Sequence, residues 1–517
     1  MDDERAPTLW WSMWKRFLLA GVLIVALSAG ATATVALNTV SSIAEEVFPK
    51  LSQINAPKSL VTPEYNEGPE TFLVLGTDRR EGSVDALDRT NPPHSDTILL
   101  VRFDPAQGQT SVLSIPRDLM VNITGPKGEI YGNEKINAAY TIGSKLGGTR
   151  GGMLLAAETI KKEVFPGLTL NAIVDVNFKG FIRVVDSLGC AYVNVDHHYF
   201  NQNVGSAETN YTSINLQPGY QKLCYENALD YVRYRHTDSD FVRVARQQDF
   251  LRSLREQASP GIGQIDTVAK AVGHAIASTV HGSASELLKL AKLIAFSQTK
   301  PLRQVKFLTT NVNATFNGGS YVTSTPTLEQ ETLDRFINGH ETLSVPAARA
   351  STGHSSSKHS KHSSGSSSPS SAAHALNLYP TSLTSESELV KAAVNIPFHV
   401  LYPALQTGQA EQQMVRAYSL PDQSGRIHHA YVVVWQQNVI GGYYDFQGTD
   451  WLSPPLFAHE HSRGIDGRIY KIVDDGSHIH VVGWRSGKAL YWVTNTLLEE
   501  LSNSQMLAIA RSAQSLH

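Results

Sequence analysis

Aspartate and arginine recur in this 517-residue chain directly beside short apolar runs, as side chains carried at strand ends do. Asp78 and Arg80 follow Phe72-Leu73-Val74-Leu75 across a glycine turn, Asp96 opens Thr97-Ile98-Leu99-Leu100-Val101, and Arg117 closes Ser111 to Ile115 behind Pro116. Further along stand Arg233 and Arg235, then Asp240, Arg243, Arg246 and Gln247; on a helix, positions 240, 243 and 247 share one face. Arginine suits a phosphate or pyrophosphate, because its planar fork donates two parallel hydrogen bonds and stays charged at any physiological pH. Carboxylates among such arginines suit a magnesium (or manganese) ion bridging a diphosphate. Singly, each of these charges reads equally well as a surface ion pair contributing about 0 to 1 kcal/mol. Together, at the strand ends where ligands bind in mixed sheets, they read as one anion site.

The elements that must position them follow from periodicity. The three apolar runs are bounded by turn residues and predict buried strands, a helix is expected from Gly152 to Val164, and Ala172 to Val176 returns to strand character. Two helical patterns lie between Glu226 and Leu254, broken near Thr237 to Asp240; residues 266 to 298 are again helical in period, and Val305 to Leu308 reads as a late strand. This alternation predicts an α/β (α+β) domain over 70–344, with a central mixed sheet flanked by helices. Residues 351–371 are almost entirely Ser with Lys, His and Gly, which cannot bury enough apolar surface to order itself, so 345–375 is expected to be a linker. His354, His359 and His362 within it read as solvated, not as a metal site. From 376 to 517 a second, smaller α+β domain is expected, with strands at Ala430 to Val434, His478 to Trp484 and Tyr491 to Val493, and a final helix over about Leu497 to Leu516. Trp484, Tyr491 and Trp492 have the chemistry to stack on sugars, but aromatic residues in strands more commonly pack.

Residues 17–37 run without a charge, long enough to cross a bilayer once, with Lys15 and Arg16 directly before them. The positive-inside rule leaves 1–16 cytoplasmic and the bulk extracytoplasmic, with 38–69 as a stem. A cleaved signal peptide ending near Ala31-Thr32-Ala33 is the alternative, and it places the rest on the same side. That compartment permits disulfides, and Cys190 and Cys224, the only two cysteines, are available to pair there; two separate buried thiols are the other reading. A net charge of −3 and a pI near 6.7 give no footprint for nucleic acid.

The order LGTDRR (75–80), SDTILLV (95–101), LSIPRDL (113–119), KINAAY (135–140), VNFKGFIRVVDSLG (176–189), LQPGYQKL (216–223), ALDYVRYRH (228–236) and DFVRVARQQ (240–248) resembles the LytR-CpsA-Psr family of cell-wall glycopolymer ligases. The resemblance implies a hydrophobic cleft for a polyprenyl chain with its pyrophosphate at the mouth. It implies that Asp78 and Asp96 hold the divalent metal, that Arg80, Arg117, Arg233, Arg235 and Arg243 grip the pyrophosphate with Gln247 assisting, and that Arg246 supports them. The reaction so implied passes a glycosyl phosphate from a polyprenyl pyrophosphate carrier to a peptidoglycan hydroxyl. Arg117 and Arg235 are essential to it, and Asp78 or Asp240 accepts the proton. A non-catalytic carrier-binding scaffold or sensor, or a pyrophosphate hydrolase, would use the same arginines. The chain departs from the family where Cys190 replaces a second glycine after Leu188-Gly189 and Cys224 replaces part of an Asn-Gly turn, a joint change that strengthens the disulfide reading. The segment from Arg80 to Asp96 is also longer than usual.

Overall fold

Leu73, Leu75, Leu100 and Leu113 are fully buried, so the runs that contain them must lie inside a sheet covered on its faces. The computed structural model describes residues 52–62, 68–79, 93–125, 127–202, 213–234, 240–257, 276–280, 302–339, 373–381, 386–408, 410–437, 442–475 and 477–516. The expected span at 17–37 and the Ser-rich stretch at 351–371 lie outside them, and among the described residues no helix is long and apolar enough to cross a membrane.

The central sheet has seven strands in the order Ser52–Gln53, Ile276–Ser278, Ala172–Asn177, Glu70–Thr77, Ser95–Asp104, Gln109–Ser114 and Leu302–Val305. The strands at 70–77, 95–104 and 109–114 form an antiparallel meander, while 172–177 and 302–305 join it in parallel, so the sheet is mixed as expected. Two expectations fail at one edge. Residues 276–278, within the segment read as helical, are a strand, because pairing with 172–177 satisfies their backbone where helical periodicity had to compete. Part of the expected stem also belongs to the domain: Ser52 and Gln53 pair with Ala277 and Ser278, and Ile54, Leu60 and Val61 are buried in its core.

Helix α1 (Asn137–Thr159) covers the sheet, continued by a wide turn at Ile160–Val164. It is a hairpin of two arms kinked at Gly147 and Gly148, and the arms touch backbone to backbone at Gly143 and Gly151, where a Cβ on either would collide with the other's carbonyl. Only its second arm was legible, because glycines blur the helical period of the first.

Helices α2 (Phe178–Ser187), α3 (Tyr225–Arg233) and α4 (Asp240–Gln257) surround a second core with the antiparallel pairs Ala191–Val195 with Gly219–Leu223 and Tyr199–Asn201 with Ile214–Leu216. Helix α3 ends at Arg233 and α4 begins at Asp240, and residues 237–239 of the expected break lie outside the described residues. Cys190 and Cys224 form a disulfide with Cα atoms 4.9 Å apart, and Cys190 takes a left-handed φ of 70°, a conformation that favours glycine. Helix α5 (Pro326–Asn338), capped by the Thr325 hydroxyl and closed by Gly339 at φ 75°, backs the strands at 109–114 and 302–305.

The C-terminal unit is an antiparallel seven-stranded sheet in the order Glu411–Pro421, Ile427–Gln436, Tyr443–Thr449, Ala489–Thr494, His478–Ser486, Arg468–Asp475 and His461–Ile465. Strand alternation divides its side chains. Tyr491 and Val493 face a core capped by α6 (Glu386–Val394) and α7 (Asn503–Arg511), while Leu490 and Trp492 face the opposite way, onto Tyr192 and Tyr220 of the first domain. Trp484, Tyr491 and Trp492 are all buried, so they pack. The final helix is shorter than its period suggested: a capping box of Ser502 and Gln505 starts it, and Ala513–Ser515 leaves it to pair with Leu401–Pro403.

Candidate functional site

The site begins at an irregularity. Between Gly76 opposite Thr97 and Thr77 opposite Ser95 the register shifts by one residue, leaving Asp96 as the unpaired member of a bulge. Gly76 permits this close approach, since a Cβ there would lie 2.9 Å from that of Thr97. Arg117, turned out of the neighbouring strand by Pro116, donates from Nη1 to Asp96 Oδ1 at 2.6 Å, and its Nε lies 3.6 Å from Asp118. Lys135 holds Asp118 from the other side at 2.8 Å. Across the bulge, the backbone N–H of His94 donates to Asp78 Oδ1 at 2.6 Å, and the His94 ring stands 4.0 Å from the same carboxylate.

The two carboxylates are electrostatically opposite. Burial raises the Asp78 carboxyl, the His94 amide partly offsets it, and the charge of Asp96 raises it again. Burial also acts upward on Asp96, but the charges of Arg117 and then Arg243 hold it below the usual carboxylate range. With 32% and 39% of their side-chain surfaces open, Asp78 and Asp96 offer hard oxygen donors to an incoming ion. A magnesium ion is held by one or two carboxylates together with substrate phosphates, and this pair fits that donor set.

Helices α3 and α4 bring in the remaining candidates. Arg243 is buried on α4 and its field reaches Asp96. Arg246 is fully buried, with Tyr199, Tyr231 and Tyr234 rings 4.7 to 5.7 Å from its guanidinium, and donates to the carbonyls of Tyr231 and Tyr234 at 2.9 and 2.8 Å. Gln247 donates to Val232 O at 3.0 Å. Arg246 and Gln247 therefore stitch α4 to the C-terminal end of α3, where Arg233 stacks on Phe178 at 4.1 Å. Arg80 and Arg235 lie outside the described residues, as does the side chain of Asp240.

A neighbouring group went unread in the sequence. Asp175, fully buried in the strand beside 70–77, accepts from Thr77 Oγ1 at 2.7 Å and Tyr140 OH at 3.1 Å and lies 3.4 Å from Arg79 Nε. Burial raises the Asp175 carboxyl despite these partners, and raises the Tyr140 phenol. The available signal was a lone carboxylate inside the apolar run AIVDVN.

A profile of the LytR_cpsA_psr family matches residues 35–336. The chain is 30% identical over 243 residues to an uncharacterised protein of Staphylococcus aureus (strain NCTC 8325), covering 47% of this chain and 55% of that protein. It is 31% identical over 243 residues to the polyisoprenyl-teichoic acid–peptidoglycan teichoic acid transferase TagT of Bacillus subtilis (strain 168), covering 47% of this chain and 68% of TagT. The matched region thus spans between about half and two thirds of these relatives. A solved structure of TagT with bound octaprenyl pyrophosphate superposes with a TM-score of 0.38 at 22% identity, covering 55% of this chain and 98% of that one.

Proposed function

From its membership of the LytR-CpsA-Psr family, to which this chain belongs, we propose that it transfers a glycopolymer from a polyprenyl diphosphate carrier to peptidoglycan. The single observation that carries this reading is the Asp96–Arg117 pair, set in a bulge beside Asp78 and within the field of Arg243. A cation clamp next to two accessible carboxylates suits a diphosphate and its counter-ion, and leaves a covalent enzyme intermediate unnecessary. The acceptor hydroxyl oxygen bonds to the phosphorus next to the sugar, the bond from that phosphorus to the bridging oxygen breaks, and polyprenyl phosphate leaves. The hydroxyl proton passes to a carboxylate, Asp78 or Asp240.

Asp78 and Asp96 would hold a magnesium or manganese ion, which when bound neutralises charge on the phosphate oxygens. Arg117 and Arg243 bind and orient the diphosphate, Arg80, Arg233 and Arg235 extend the grip, and Gln247 assists. An apolar cleft receives the polyprenyl chain, and residues 17–37 anchor the enzyme with its bulk outside the cell membrane. The test incubates a lipid-linked glycan and a peptidoglycan acceptor with the native chain, and resolves the lipid products. Release of polyprenyl monophosphate with labelled peptidoglycan supports transfer; intact carrier identifies a binder, and monophosphate without labelled acceptor identifies a hydrolase. Arg117→Ala should lower the transfer rate at least a hundredfold, about 2.7 kcal/mol, while the chain stays folded; native activity in that variant removes the assignment. Chelation of divalent ions should slow transfer tenfold or more, and an unchanged rate removes the metal.

A further inference from the structure

Helix α4 is unusual in burying charge on opposite sides. Arg243 and Gln247, on one side, are 4% and 8% exposed; Asp249 and Arg252, about 180 to 240° around the axis from Arg243 at 100° per residue, are 7% and 4% exposed. The second pair faces the C-terminal domain. Arg252 Nη2 meets Asp475 at 2.6 Å, and His480 is held between Asp249 at 3.3 Å and Glu499 at 2.7 Å. Around this polar centre the two domains share an apolar cluster in which Tyr192 and Tyr220 pack with Trp451, Phe457 and Trp492. A second polar tie runs from Asn194 to Asp445 at 2.5 Å, and both Tyr192 and Asn194 lie on the strand that the side chain of Gln257, the last residue of α4, grips by two 2.7 Å hydrogen bonds to Tyr192.

Apolar contact alone would hold the domains together but is non-directional, so it would tolerate sliding or rotation of α4. Buried charge-assisted bonds have sharp distance and angle requirements and define one register. We propose that the C-terminal domain is a positioning device for the anion site: Asp475, His480 and Glu499 hold α4, through Arg252 and Asp249, at the rotation and height that present Arg243 and Gln247 to the diphosphate. The inference rests on the proposed function for the identity of the ligand and assigns the C-terminal domain a task in that reaction. Displacement of a binding group by about 1 Å is enough to lower turnover by about a hundredfold.

The test measures binding of geranylgeranyl diphosphate with magnesium to the full chain in detergent, alongside thermal unfolding. Asp475→Asn should weaken binding about tenfold, and the exchange of Arg252→Asp with Asp475→Arg should recover at least part of it. Val433→Ala, in the C-terminal core away from the interface, should lower the unfolding temperature and leave the affinity native. Native affinity in folded Asp475→Asn overturns the proposal, as does equal weakening by Val433→Ala. Should Asp475→Asn fail to fold, Arg252→Lys keeps the charge but loses the fork, and native affinity in that variant overturns it. Failure of the unmodified chain to bind the diphosphate, or native binding by Arg117→Ala, would instead bring down the underlying functional reading.

Discussion

Asp175 shows how much of a site depends on residues that never touch the ligand. Its carboxyl ties Thr77, one residue before Asp78, to Tyr140 on α1 and lies within reach of Arg79, so three chain segments meet at one buried group. Asp175→Ala would leave those partners buried without it and should cost about 3 to 5 kcal/mol of stability, read as a lowered midpoint of urea unfolding. A midpoint within experimental scatter of the native one would show that the cluster relaxes freely. Asp78, Asp96 and Arg117 were legible because each stands beside the start or the end of an apolar run. Asp118 and His94 were harder to weigh, since adjacency to a motif says nothing about which side chains face each other across a turn.

Among the elements, the bulge between 76–77 and 95–97 does the aiming. Gly76→Val should push the strand pair apart at Thr97 and swing Asp96 away from Arg117, so transfer should fall at least tenfold while the fold survives; transfer at the native rate would show the bulge to be tolerant. The disulfide acts elsewhere, joining the end of α2 to the start of α3 across a sequence separation of 34 residues. Replacing both Cys190 and Cys224 by serine should lower unfolding free energy by about 3 to 4 kcal/mol on the chain-entropy account, measured by denaturant titration under oxidising conditions. Equal stability with and without the bridge would mean that the α2–α3 packing already imposes the constraint.

Across the whole molecule, two domains share a charged interface whose stability depends on pH. Burial opposes the charge on His480, but Glu499 and Asp249 dominate and lift its pKa from the ordinary 6.5 to about 10. A raised folded pKa means that the contribution is complete below about 6.5 and is lost as pH rises through about 10. Unfolding free energy should therefore decline over that window, and His480→Gln should flatten this part of the profile; a native slope in the variant would place the pH dependence elsewhere.

Apolar periodicity and turn chemistry are local, so the linear sequence specifies the strand runs, the charged residues beside them and the two cysteines available to pair. It also carried the family, through motifs spread in order along the chain. Tertiary packing alone brings Asp175 to Thr77 across 98 residues, makes residues 276–278 a sheet strand between 52–53 and 172–177 and not a helix, and turns one face of the C-terminal sheet onto Tyr192 and Tyr220. Those outcomes depend on which surfaces meet after collapse, where one well-placed partner outweighs the small local preference of any segment.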